Sequence, residues 1–339
     1  MTAPLRLTRK QILAFRRRVG ALDQRLPAGR RSLRQAAWAG LQDSMPRAAL
    51  LSIHARVAGA GPAAWDDPSL VQVWGPRYQV YVIAERDLAV FTLSRLPDAG
   101  KIRERADDLA PRLHELLGGE RMRYGDAGQA LGVHGNRLRY AALTGRLAIR
   151  WEGARQPLVW TVPPPTITQM EATLELARRF LRIFGPAGPE AFGKWAGIGA
   201  REAVRAFDHL AGELIPVLTP VGEGFMLAAD EPTLREPPLR TAAARLLPSG
   251  DAYTLRGTSE ARALLVPDAA QRGELWTPRV WPGALLVAGE IVGTWRRAQR
   301  TMTIQAWRKL SRAAREAVVA EAESLPLPDP GDGMAVHWA

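Results

Sequence analysis

The stretch Asp126-Ala-Gly-Gln-Ala-Leu131, Gly132-Val-His-Gly135, Asn136-Arg-Leu-Arg-Tyr-Ala-Ala-Leu-Thr144, followed by Leu147-Ala-Ile-Arg-Trp151 and Leu158-Val-Trp-Thr-Val162, decides the fold class. Asp126 opens a short helix, Gly132 to Gly135 turns the chain, and a second helix runs from Asn136 to Thr144 with Gly145 as its C-terminal cap. On that helix Leu138, Ala141 and Ala142 form an inward i, i+3, i+4 set, which leaves Arg137, Arg139 and Tyr140 outward. Gly153-Ala-Arg155 separates two apolar runs and reads as a hairpin. Helix, turn, helix, hairpin is the order of a winged helix.

The same grammar extends in both directions. Upstream, Thr8 and Gln11 form a capping-box pattern before Ile12, Leu13, Phe15 and Val19. Helices follow at 32–39 and 46–56, then a strand pair around Gly75-Pro76. Downstream of Pro163-Pro-Pro165, Thr168 and Glu171 form a second capping box, and Leu174, Ala177, Leu181 and Phe184 share one face. Gly222-Glu-Gly224 marks another hairpin. After Glu236-Pro-Pro238 short β segments take over, with one amphipathic helix at 312–324 and a tail from Leu325 whose Pro, Gly and Asp content reads as loose. The expected architecture is α+β: three tandem winged-helix units over 1–97, 98–165 and 166–235, then a small C-terminal β-barrel with its helix and tail over 236–339.

Composition narrows the partners. The chain has 339 residues, a formal net charge of +12 and no cysteine. Of its 46 basic residues only Lys10, Lys101, Lys194 and Lys309 are lysines. An excess of arginine suits phosphate forks and the minor groove, so a polyanion, double-stranded DNA ahead of a membrane surface, is the expected partner. The absence of cysteine removes disulfides, thiolate metal sites and cysteine nucleophiles, and fits a reducing cytoplasm. No apolar run approaches the ~18 residues of a membrane span, and the polar start carries no signal-peptide core. The histidines lack metal-ligand spacing, and no phosphate-binding loop, dinucleotide fingerprint or nucleophile elbow occurs, so neither metal nor cofactor is expected.

Gly40-Leu-Gln-Asp-Ser-Met-Pro-Arg-Ala-Ala49 with Ser52-Ile-His-Ala-Arg56 resembles the N-terminal signature of the AlkZ-type winged-helix DNA glycosylases. Leu181-Arg-Ile-Phe-Gly-Pro186 with Phe192-Gly-Lys-Trp195, Leu246-Leu-Pro-Ser-Gly-Asp251 and Glu290-Ile-Val-Gly-Thr-Trp295 resemble later segments of that family, in the same order. The resemblance implies a monomeric enzyme of base excision repair, acting without a cofactor on alkylated guanine in duplex DNA. Bulky or cross-linked adducts left by alkylating antibiotics are among the implied lesions, which would make self-resistance one setting for it. It also implies a Gln-x-Gln or Gln-x-Asp motif. Gln42 matches its first position, Ser44 stands at its third, and the nearby carboxylate is Asp43.

An N7-alkylated guanine already carries positive charge and leaves without a strong general acid. Its enzyme needs water positioned at C1′ and negative charge near an oxocarbenium-like sugar. Gln42 fits the first task and Asp43 the second, provided a turn brings them together, because neighbours in extended chain face opposite sides. The bland readings are that Asp43 caps the helix near Pro46 and that Gln42 satisfies loop backbone. His54 reads as a structural histidine and Asp251 as structural. Arg77 after Trp74-Gly-Pro76, with Arg137, Arg139 and Arg155, are the candidate DNA contacts. A non-catalytic duplex-binding protein is the competing function.

Overall fold

The computed structural model describes residues 4–43, 45, 47–153, 155–237, 239–255, 258–326 and 333–339. Ser44 and Pro46 lie outside the described residues.

The first two units are not separate bodies, because their strands form one sheet. Leu70–Trp74 and Val80–Ala84 pair antiparallel, and Gln72 pairs with Ile149 of the strand Leu147–Arg150. That strand pairs in turn with Leu158–Thr161, and Met122–Arg123 closes the far edge. At the near edge Leu41–Gln42 pairs with Val82 and Tyr81. The result is a six-stranded mixed-unit sheet.

Burial follows from the period of two along each strand. Val73, Tyr81 and Ile83 face one way and pack with Phe91 against Leu176, Phe180, Phe184 and Trp195 of the third unit. The helix Gln169–Phe184 that carries most of these is started by the Thr168–Glu171 capping box, with both reciprocal bonds formed. Each such side chain contributes roughly 1.5–3 kcal/mol of burial. Trp74 and Ile149 face the other way, onto Leu109, Leu113 and Leu138.

The N-terminus also crosses units. Leu5 and Arg6 pair in parallel with Val217 and Leu218, extending the hairpin Leu214–Thr219 and Gly222–Leu227 into a three-stranded sheet. The helix Arg9–Val19 lays Ile12 and Phe15 on Val217, Met226 and Leu234.

The C-terminal unit corrects the expected barrel. Ala244–Leu247, Gly283–Val287, Glu290–Ala298, Thr301–Ala306 and Ala335–Trp338 form an open five-stranded sheet in that order. Closure would require the first and last of these to pair. Instead the last adds in parallel to Thr301–Ala306, and the helix Arg312–Glu323 places Val318 and Ala322 over Leu246 and Ile304. Two helices the sequence did not signal, Ser259–Leu265 and Ala269–Leu275, carry Leu264, Leu265 and Leu275 inward. Among the described residues no helix is long and apolar enough to cross a membrane.

Candidate active site and nucleic-acid interface

The first and C-terminal units meet at Gln42, and the third unit backs the turn that carries Arg77. The Gln42 strand lies at the sheet edge, so alternation puts Leu41 and Asp43 on the interior side and Gln42 on the side of Tyr81. Gln42 Oε1 accepts from Arg77 Nη2 at 3.3 Å and from the Tyr81 hydroxyl at 3.4 Å. From the C-terminal unit, Gly250 brings its backbone close. A side-chain carbon there would lie 3.3 Å from Gln42 Nε2, and its φ of +74° also favours glycine.

The turn that presents Arg77 is held from below. Arg77 and Tyr78 both adopt left-handed backbone, with φ of 55° and 58°. Such conformations cost non-glycine residues about 1–3 kcal/mol and persist where surroundings enforce them. Here Arg95 enforces them. It is 6% exposed, donates through Nη1 to the Trp74 and Gly75 carbonyls and through Nε to the Ala196 carbonyl at 3.1 Å, and lies 4.5 Å over the Tyr78 ring. Burial lowers its pKa to about 10, still far above neutrality. Gly197 follows Ala196, and a side-chain carbon there would come within 3.1 Å of Arg77 N.

Asp43 does not converge with Gln42. It is fully buried, with Oδ1 accepting from the Ala49 N–H at 3.0 Å and Oδ2 from Gln72 Nε2 at 2.9 Å. It therefore caps the first turn of the helix Ala48–Arg56 from a distance. No turn folds the two side chains onto one side; the extended backbone of the edge strand continues to the Asp43 N–H, bonded to the Val80 carbonyl. Burial pushes the Asp43 carboxyl up to about 7, against the pull of Ala49, Gln72, Arg47 and Arg150.

Asp251 and His54 are structural, as their surroundings make plain. Asp251 accepts from Ser52 Oγ, both Arg56 terminal nitrogens and the Tyr253 amide. Burial raises its pKa, but Arg56 and these donors outweigh it and hold the carboxyl below the usual range. His54 contacts Arg25 and Ser324, and burial, then Arg25 and Arg245, lower its pKa to about 4.

The basic candidates divide. Arg137 and Arg155 are exposed. Arg155 lines a cleft of about 700 Å³ with Arg123, Arg150 and Gln156. Arg139 is only half exposed: its guanidinium sits 5.7 Å from the Trp74 ring, and its Nε is buried. Sequence reading missed Arg296, Arg297 and Arg300, exposed at the tip of the hairpin Glu290–Ala298 and Thr301–Ala306. The signal was present as Arg296-Arg-Ala-Gln-Arg300, a basic run inside alternating β sequence.

Residues 35–326 match the family described as DNA glycosylase AlkZ-like. Among solved structures, the Streptomyces sahachiroi DNA glycosylase AlkZ superposes with a TM-score of 0.77 at 17% identity, covering 99% of this chain and 100% of that one. At that identity the likeness establishes the fold. Comparison with curated proteins finds no match.

Proposed function

This chain belongs to the AlkZ-like DNA glycosylase family, and from that premise we propose that it hydrolyses the N-glycosidic bond of N7-alkylguanine in duplex DNA. The observation that carries this reading is Gln42, the family-motif glutamine, held by Arg77 and Tyr81 of its own unit and closely approached by Gly250 of the C-terminal unit. Three helix-and-hairpin units serve as winged helices along the duplex. The exposed Arg137 and Arg155, with the hairpin arginines Arg296, Arg297 and Arg300, meet phosphates.

In the proposed reaction the C1′–N9 bond breaks with its electron pair going to the base. The cationic alkylguanine leaves neutral, and the sugar is left as an oxocarbenium. Arg77 and Tyr81 both donate to Gln42 Oε1 and so orient its carboxamide, and a water bonded to that amide is aimed at C1′. Water adds there and then releases its proton to solvent. Asp43 enters as a positioning residue: it anchors the chain directly after Gln42 to the helix Ala48–Arg56, rather than presenting charge to the sugar.

Purified protein should release N7-methylguanine from duplex DNA, and Gln42→Ala should lower the single-turnover rate by roughly a hundredfold or more with duplex affinity nearly unchanged. Equal rates for both proteins would remove Gln42 from the reaction. A second reading, a non-catalytic duplex binder, is favoured by the burial of Asp43 away from Gln42. It prevails if wild type binds duplex but releases no N7 adduct.

A further inference from the structure

Gln72 joins places that the sequence keeps far apart. Its Oε1 accepts from the Trp151 N–H at 2.6 Å, and its Nε2 donates to the Trp151 carbonyl at 3.2 Å and to Asp43 Oδ2 at 2.9 Å. The side chain is buried, its oxygen accepts one bond, and its nitrogen donates two. Trp151 is the first residue after the strand Leu147–Arg150, where the hairpin loop bearing the exposed Arg155 begins. Asp43 directly follows Gln42 and holds the Ala49 amide at the start of the next helix.

We infer that Gln72 is a positioning residue that couples docking of the second unit's hairpin on DNA to the placement of the Gln42 edge strand, an inference resting on the glycosylase reading above. A load on Arg155 is carried by the backbone to Trp151. There the Gln72 amide grips both backbone polar atoms and passes the displacement to the Asp43 carboxylate. The cations facing Asp43 lie on the same path. Arg47, just before the helix, and Arg150, on the hairpin strand, both pack on the Trp65 ring, at 5.1 and 5.0 Å, and Arg150 also pairs with Asp66 and Glu152. Hydrophobic packing alone does not call for an amide at this position, since a leucine fills similar space. What leucine lacks is the donor to Asp43 and the double bond pattern to Trp151.

The test uses the full chain with Gln72→Leu and Gln72→Glu. Single-turnover release of N7-methylguanine is followed against pH, duplex affinity by anisotropy, and hydrogen exchange at the Ala49 amide with and without duplex. Gln72→Leu should bind duplex almost as wild type yet react on the order of a hundredfold more slowly, the scale expected for a displaced catalytic group. Gln72→Glu should be slow at pH 8, where two carboxylates oppose each other, and should recover toward pH 6, where one shared proton restores a donor between them. Duplex should slow Ala49 exchange in wild type and fail to do so in Gln72→Leu. Wild-type rate and exchange in Gln72→Leu would overturn the coupling, as would a Gln72→Glu rate that stays low at every pH together with lost affinity. If wild type itself releases nothing, the glycosylase reading falls and the exchange measurement alone decides the coupling: duplex-dependent protection lost in Gln72→Leu sustains it, and protection retained sinks it.

Discussion

Arg56 grips Asp251 with both terminal nitrogens, at 2.7 and 2.8 Å, and this pair fastens the C-terminal unit to the helix that follows the Gln42 strand. Both side chains are almost wholly buried. Removing one partner of such a pair leaves an uncompensated buried charge, at a cost of about 3–5 kcal/mol. Asp251→Ala should therefore lower the urea midpoint strongly, while Arg56→Met with Asp251→Leu together should recover much of the loss. Because the folded carboxyl is held below its unfolded value, its stabilising effect is present above the unfolded pKa and is lost as pH falls through the folded one. A single alanine variant that melts like wild type would show the pair to be dispensable.

Asp43 has the opposite sign. Burial raises its folded pKa to about 7 from the ordinary carboxylate value of 3.8, so between these the folded state holds a proton that the unfolded chain releases. Stability from this source is complete below pH 3.8 and declines as pH rises to about 7. The decline is on the order of 4 kcal/mol across that window. Urea melts of wild type and Asp43→Asn at pH 5 and pH 8 isolate it. Wild type should lose more stability between the two than the variant does, and parallel losses would assign the trend to other groups.

Much of this architecture is legible from local chemistry. The Thr8–Gln11 and Thr168–Glu171 capping boxes form as read, because both partners lie within one turn. The hairpin around Gly153 follows from turn residues between β-rich runs; the second hairpin forms too, but it turns at Pro220-Val221, and Gly222-Glu-Gly224 pairs within its second strand. What the sequence hides is pairing between distant segments. Leu5 with Val217 and Gln72 with Ile149 leave no local pattern, yet they fuse the units. The Pro, Gly and Asp of the tail conceal Ala335–Trp338, a strand whose partner, Thr301–Ala306, supplies the order. At the site, period-two alternation correctly warned that Gln42 and Asp43 would diverge. Only the fold shows that Asp43 reaches six residues ahead to the Ala49 amide.

Arg95 should matter to both stability and reaction through one set of bonds. Arg95→Met keeps most of the stem but strips donors from the Trp74, Gly75 and Ala196 carbonyls. Each buried group left unpaired costs about 1–3 kcal/mol, so the variant should be several kcal/mol less stable. With the support gone, the left-handed Arg77–Tyr78 turn should relax and release Gln42. Adding Arg77→Gly to Arg95→Met should recover part of the stability, since glycine adopts that backbone freely, and none of the excision rate, since the anchor on Gln42 Oε1 is lost. Recovery of rate in the double variant would show that Arg77 does not orient Gln42.

The exposed arginines make the last prediction a matter of slopes. A protein that neutralises phosphates releases condensed counterions, so the logarithm of affinity falls linearly with the logarithm of salt, by about 0.9 per phosphate contact. Arg137 and Arg155 project from the second unit, and Arg297 from the tip of the C-terminal hairpin. Changing each to alanine should shallow the slope by about one, nearly uniformly across duplex sequences, because phosphate contacts carry no base information. Arg139 lies half-buried against Trp74, so Arg139→Ala should chiefly lower stability and leave the slope almost intact. Anisotropy titrations of one random duplex from 50 to 200 mM salt would separate the two classes. An unchanged slope for Arg155→Ala would take the second hairpin off the DNA, and with it the premise that its loop transmits load to Gln72.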